Sequence, residues 1–223
     1  VSWHPRAQAI SNQQSAISQS NTLVHFNAPS DGEQTLVETD PLHTTADRLI
    51  DLRGRGINSP VIAWVGTGDD VVLLSKDGRL WRFVIYTRNL TVITQSETVD
   101  GFLAAPDGQT MVAHTTANQL FTIGIDGQNK RELKETGSLA GVAWSPDSTA
   151  LWLATTAEEL TIKRIVIATD AITTYATPTN ESVGTLTQTL ISPDEKTLVL
   201  AGDRGIATLT LTPTDYPAVT TGK

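Results

Sequence analysis

The chain has 223 residues, 39% hydrophobic and 18% charged, with 24 acidic against 16 basic side chains and a formal net charge of −8. One domain of this length can bury about 70% of its unfolded surface without a disulfide or metal staple, and the absence of cysteine excludes disulfides, thiolate zinc sites, iron–sulfur clusters and cysteine nucleophiles. No apolar run approaches the roughly 20 residues that span a bilayer, so no membrane insertion of this fragment is expected, and the acidic balance argues against a nucleic-acid surface or an anionic membrane as partner.

Threonine is abundant, and Val, Ile, Leu and Ala fall in short runs, which favours pleated strands over helices. Residues 1–5 (VSWHP) open a first apolar unit, whose last strand is expected at about 35–38. An irregular stretch follows at 39–58, where Thr44 or Thr45 is placed to cap a short helix running through Leu52, with Gly54 and Gly56 ending it. A second unit pairs residues 61–65 (VIAWV) with 71–74 across a glycine-rich turn. The third runs from 101–107 (GFLAAPD) to 111–113, the fourth from 141–147 (GVAWSPD) to 151–154, and the fifth from 190–194 (LISPD) to 198–201.

Pro106, Pro146 and Pro193 are separated by 40 and 47 positions, close to one four-stranded propeller blade. Each copy continues into two further strand-like segments, as in 160–168 and 171–176 around the polar turn Thr169-Asp170. In the last copy Ala207, Leu209 and Leu211 alternate with Thr208, Thr210 and Thr212, the period of a strand with one apolar face. A lone four-stranded sheet of this kind cannot cover both faces, so neighbours must stack. The expectation is an all-β propeller of five recognisable repeats, a single domain over 1–223 with a charged insertion at about 39–58; a segment outside this fragment could complete the ring.

The turns Ser145-Pro146-Asp147 and Ser192-Pro193-Asp194, with the variant Ala105-Pro106-Asp107-Gly108, resemble the repeat of TolB-like and WD-type propellers. Residues 123–133 (IGIDGQNKREL) are similar to the outer-strand hairpin of the TolB-like type, and the LpqB-like lipoprotein propellers are similar in length and style. The Trp-Asp dipeptide and Gly-His pair of true WD repeats are absent. The resemblance implies a fold and leaves activity open, because such repeats carry packing residues.

In a propeller, the connection from one blade's outermost strand to the next blade's innermost strand lies on the face where the central channel opens, as do the loops between second and third strands. The insertion, carrying His43, Asp47, Arg48, Asp51, Arg53 and Arg55, is therefore expected beside Lys76, Asp77, Asn118, Glu158, Asp203 and Arg204. Long loops in compact domains are often functional, and these twelve residues form the candidate binding set. The rival reading is a surface excursion or a decoration that plugs the channel; on the binding reading, Arg48→Ala, Arg53→Ala or deletion of 40–57 leaves folding intact and weakens partner binding.

Catalytic groups are not assigned. His4, His25, His43 and His114 fall in different units with no metal-ligand spacing, and no Gly-x-Ser-x-Gly elbow occurs. Asp107, Asp147 and Asp194 each follow a proline, which suits an Asx-turn better than calcium or acid chemistry. The tryptophans read as packing residues, with Trp3, Trp64 and Trp144 on first strands, Trp152 on a second and Trp81 on a third. Basic residues such as Arg79, Arg82, Lys130, Arg131, Lys163 and Arg164 are interleaved with acids and read as solubilising outer strands.

The expected function is a non-catalytic module that binds a protein partner through its loop face, either as a monomeric domain or within a larger assembly, with no cofactor and no metal. The alternatives are a hydrolase or lactonase-like propeller with a channel site, and a sensor or spacer domain of a membrane-anchored protein. Met111 is the single methionine, so the chain reads as a mature or excised piece. A cysteine-free, acidic, threonine-rich composition suits an extracytoplasmic bacterial protein.

Overall fold

Successive side chains of a strand point to opposite faces, so a strand that is apolar at every position needs cover on both sides. The middle of the second strand is of this kind in the later repeats, at 71–74, 111–113, 151–154 and 198–201, and the way it is covered defines the fold. A computed structural model describes residues 15–17, 23–27, 35–39, 48–52, 57, 61–65, 70–134, 139–156, 160–175 and 183–211.

The described strands form five antiparallel sheets in chain order. The first holds β1 (Ser15–Ile17), β2 (Leu23–Asn27), β3 (Thr35–Thr39) and β4 (Arg48–Asp51); the second β5 (Val61–Val65), β6 (Asp70–Leu74), β7 (Leu80–Val84) and β8 (Asn89–Val92). The third contains β9 (Val99–Ala104), β10 (Thr110–Thr115), β11 (Leu120–Gly124) and β12 (Arg131–Glu132). The fourth contains β13 (Leu139–Trp144), β14 (Ala150–Thr156), β15 (Leu160–Val166) and β16 (Ala171–Tyr175), and the fifth β17 (Leu186–Ile191), β18 (Thr197–Gly202) and β19 (Ile206–Thr210). Each sheet is a meander of strands consecutive in sequence, and no helix occurs among the described residues. The fold is an all-β propeller of four-stranded blades.

Among the described residues, four apolar cores lie between the five sheets. Leu36, Ile50, Leu52 and Ile57 pack on Ile62, Val71, Leu73 and Phe83 between the first and second sheets. Val72, Leu74 and Leu80 meet Phe102, Met111 and Phe121 between the second and third. Val112 and Leu120 meet Trp144, Leu151 and Leu153 between the third and fourth. Trp152, Ala154 and Ile162 meet Leu186, Leu198 and Leu200 between the fourth and fifth. The alternation within β14 is the clearest instance: Leu151 and Leu153 serve one core, Trp152 and Ala154 the next. Burying one such side chain fully contributes roughly 1.5–3 kcal/mol, against about 0–1 kcal/mol for an exposed ion pair, so these cores hold the blades together.

The innermost strands adjoin one another, with β1 beside β5, β5 beside β9 and β13 beside β17. In the third, fourth and fifth sheets the first strand carries an extra residue, Asp100, Ala140 and Thr187, where its register against the second strand shifts. Such a bulge bends the strand and sharpens its twist.

The first repeat differs from the sequence reading. The helix expected from Thr44 or Thr45 through Leu52 is replaced over Arg48–Asp51 by strand β4, and β3 is the third strand of its sheet rather than the last. The reason is a period of two: Leu49 and Asp51 are exposed while Ile50 and Leu52 are buried in the first inter-sheet core. The part of the 39–58 insertion that is described thus completes a blade. The opening unit at residues 1–5 lies outside the described residues.

Candidate functional site

Tight turns close both edges of the stack, and their chemistry explains the recurring aspartates. In the turns between first and second strands, the side chains of Asp107, Asp147 and Asp194 accept the backbone N–H two residues on, from Gln109 at 2.8 Å, Thr149 at 3.0 Å and Lys196 at 3.1 Å. The following residue takes a left-handed conformation: Gly108, Ser148 and Glu195 have φ of 66°, 62° and 54°. Ser145 and Ser192 each donate a hydroxyl to the aspartate and accept the N–H that opens the second strand, from Ala150 and Thr197. Where the third repeat has Ala105 instead of serine, Asp107 itself accepts from Thr110 at 3.1 Å. The hydroxyl of Ser145, with the Thr149 backbone and hydroxyl, holds the Asp147 carboxyl down at about 2, and Ser192 with the Lys196 backbone lowers that of Asp194. These carboxylates are committed to their turns, as the Asx-turn reading requires.

The opposite edge carries the candidate set. Lys76 and Asp77 occupy the turn between β6 and β7, Asn118 the turn between β10 and β11, and Asp203 and Arg204 the turn between β18 and β19; all five are exposed. The blade-to-blade connections run along this edge. Val99 donates to the Gly78 carbonyl at 2.8 Å and Thr116 to the Thr98 carbonyl at 3.0 Å, while Asp203 donates to the Thr185 carbonyl at 3.1 Å. The Thr185 N–H in turn donates to the Asp203 carboxylate at 2.8 Å. Gly78, at φ 82°, sits so close to Thr98 and Val99 that no side chain fits there. Asn118 takes φ 59°, the left-handed position that asparagine tolerates. The Ser75 hydroxyl donates to Asp77, which also lies 3.5 Å from Arg79.

Rigid turns therefore hold Lys76, Asp77, Asn118, Asp203 and Arg204 along one edge, but not within bonding distance of one another. Arg48 and Asp51 lie elsewhere in kind, on the outermost strand of the first sheet rather than in a loop. His43, Asp47, Arg53, Arg55 and Glu158 lie outside the described residues.

His114 is buried on β10, and its Nδ1 lies 2.7 Å from the carboxylate of the bulged Asp100. No group of three or more histidines and carboxylates with metal-holding geometry occurs among the described residues. No protein-family profile matches the chain, and no curated protein matches it.

Sequence reasoning missed a set of clamps between neighbouring sheets. Arg131 bonds Asp170 at 2.8 Å and the Ile167 carbonyl, tying the third sheet to the fourth. Arg164 reaches Glu195 at 3.2 Å, tying the fourth to the fifth, and stacks over Trp152. The Trp144 indole N–H donates to the Leu103 carbonyl at 3.0 Å, and Ser148 accepts the Asp107 N–H at 2.9 Å. Lys130 bonds Glu97 at 2.5 Å and holds that carboxyl down at about 2. Of the basic residues read as solubilising, Lys130, Arg131 and Arg164 are here ties to a neighbouring blade or its connection, whereas Arg82 pairs with Asp70 inside its own sheet. The partners lie some 30 to 40 positions apart, so only the repeat length could have suggested them.

Proposed function

We propose that the chain is a non-catalytic binding module of the TolB-like propeller type, acting outside the bacterial cytoplasm and presenting its second-to-third-strand turns to a protein partner. The observation that carries this reading is the edge built by Lys76, Asp77, Asn118, Asp203 and Arg204. Their exposed tips stand on turns pinned by backbone bonds to the adjoining blade connections, so binding would cost little ordering entropy. Both charge signs are present there, which suits a protein surface better than a polyanion. Anchoring would come from a few desolvated groups, such as Arg204 pairing with a partner carboxylate. His43, Asp47, Arg53, Arg55 and Glu158 join this proposal as the contributions of flanking segments.

The test is affinity capture followed by titration of the captured partner against variants. Lys76→Glu with Arg204→Glu is expected to weaken binding at least tenfold, whereas Arg88→Glu, in the turn between β7 and β8 on the other edge, leaves it unchanged. Equal losses from both changes, or none from either, would place the partner on another surface.

A further inference from the structure

Twice within this chain a cation lies over an aromatic ring while a carboxylate holds it there. The Lys130 ammonium stands 4.7 Å from the centre of the Phe121 ring and bonds Glu97. The Arg164 guanidinium stands 5.8 Å from the centre of the Trp152 ring and bonds Glu195 at 3.2 Å. The negative face of the ring attracts the cation, and the charged hydrogen bond fixes its position. Both rings are buried between sheets.

The candidate edge brings together a third ring and carboxylate. Trp81 is the second residue of β7 and faces the fourth residue of β6, Leu73; in the same register Phe121 is the second residue of β11 and faces the fourth of β10, Ala113. Phe121 is 1% exposed, whereas Trp81 is only partly buried against the first inter-sheet core. The Trp81 indole N–H is already satisfied, because it donates to the Ser75 hydroxyl at 3.3 Å, and that hydroxyl contacts Asp77 Oδ1. What Trp81 offers outside the core is therefore ring surface, with the Asp77 carboxylate one hydroxyl away from the indole nitrogen. Among the described residues no cation lies over this ring. Arg79 reaches the other Asp77 oxygen at 3.5 Å, but the two side chains are 55% and 50% exposed, and a pair so open to water is weak and readily exchanged.

We propose that Trp81 and Asp77 form a binding site for an arginine side chain of the partner, with Ser75 positioning both. The proposal rests on the reading that this edge meets a protein, and it names the chemistry the partner must bring. A guanidinium is flat enough to stack on an indole and carries forked donors that a carboxylate accepts in pairs. Trp81 then supplies the aromatic anchor that the five polar residues of the edge lack, and tryptophan is among the residues on which binding energy concentrates.

The experiment is a nuclear magnetic resonance titration of the isotope-labelled full chain with acetyl-Gly-Arg-Gly-amide, and with the citrulline peptide as its uncharged isostere. The reporter is the Trp81 indole N–H signal, identified by its loss in Trp81→Phe. The arginine peptide is expected to shift that signal and the Gly78 amide saturably, and the citrulline peptide to leave both in place. Asp77→Asn keeps an acceptor for Ser75, so the turn persists; unchanged amide signals of β6 and β7 check this, and the arginine peptide is expected to bind it about threefold more weakly, or less. No shift, equal shifts from both peptides, or an unaltered response in Asp77→Asn would overturn the proposal. The titration needs no partner, so its failure is separable from that of the edge itself. A silent peptide beside a captured partner that still responds to Lys76→Glu with Arg204→Glu removes the arginine site and leaves the edge standing.

Discussion

Replacing Gly141 by alanine tests how closely adjacent blades approach. Gly141 lies on β13 beside the register shift, and its backbone is not in the left-handed region. Considered alone, alanine in a strand should gain about 0.5–1 kcal/mol over glycine. A methyl group there, however, would overlap the Thr189 hydroxyl of the next blade and stand 3.1 Å from Thr189 Cβ and 3.7 Å from Ala154 Cβ. Thr189 is buried and β-branched, so it cannot swing aside without leaving its rotamer. Overpacking of this kind costs about 1–3 kcal/mol, which at its midpoint exceeds the backbone gain of about 0.5–1 kcal/mol and leaves a net loss of about 1 kcal/mol. The rescue is specific. The Thr189 hydroxyl has no hydrogen-bond partner among the described residues, so Thr189→Ala removes the obstacle while sacrificing no bond. Urea unfolding of both single variants and the double variant should give a coupling of about 1 kcal/mol in favour of the double, with an unchanged m value. A neutral or stabilising Gly141→Ala, or strictly additive effects, would refute close packing of β13 on β17.

Other perturbations follow from the turns and the first blade. Ser145→Ala strands the buried Ala150 N–H and should cost about 1–3 kcal/mol, more than Ser192→Ala in the more open fifth-sheet turn; chemical denaturation of the pair checks the order. Leu52→Ala should cost about 2–5 kcal/mol, and deletion of 40–57 should unfold the first blade, because Ile50, Leu52 and Ile57 are core residues; this reverses the expectation that the stretch is dispensable, and thermal melts decide it. Folding lowers the Asp147 carboxyl from 3.8 to about 2. Its stabilisation is therefore present above the unfolded value and lost as pH falls through that window. The stability gap between wild type and Asp147→Asn should close as pH drops from about 4 to about 2, and a gap independent of pH would contradict it.

Much of the architecture was legible because the repeat is local. The Pro-Asp turns announce themselves in consecutive residues, and the strands around Trp144, Trp152 and Leu200 fall where the apolar runs put them. The first blade was misread because residues 48–52 carry both a capping signal upstream and a two-residue alternation. In isolation the cap suggested a helix, whereas pairing with β3 and burial against the second sheet selected the strand. The candidate edge was legible only as loop positions: Asp77 and Asp203 look like free charges in sequence, and the structure engages both in their own turns.

What the chain's order of residues determined by itself is everything that depends on near neighbours: turn type, strand period and the forty-residue unit that cannot stand alone. Which face of each strand meets which neighbour was decided only in three dimensions. The unbroken apolar run at 150–154 carries no mark saying that Leu151 and Leu153 look backward while Trp152 and Ala154 look forward. Nor does Ile206 differ in sequence from Ile162, although one is covered and the other open. Burial is a property of what arrives from elsewhere in the chain, and side chains carry no label for a partner forty residues away.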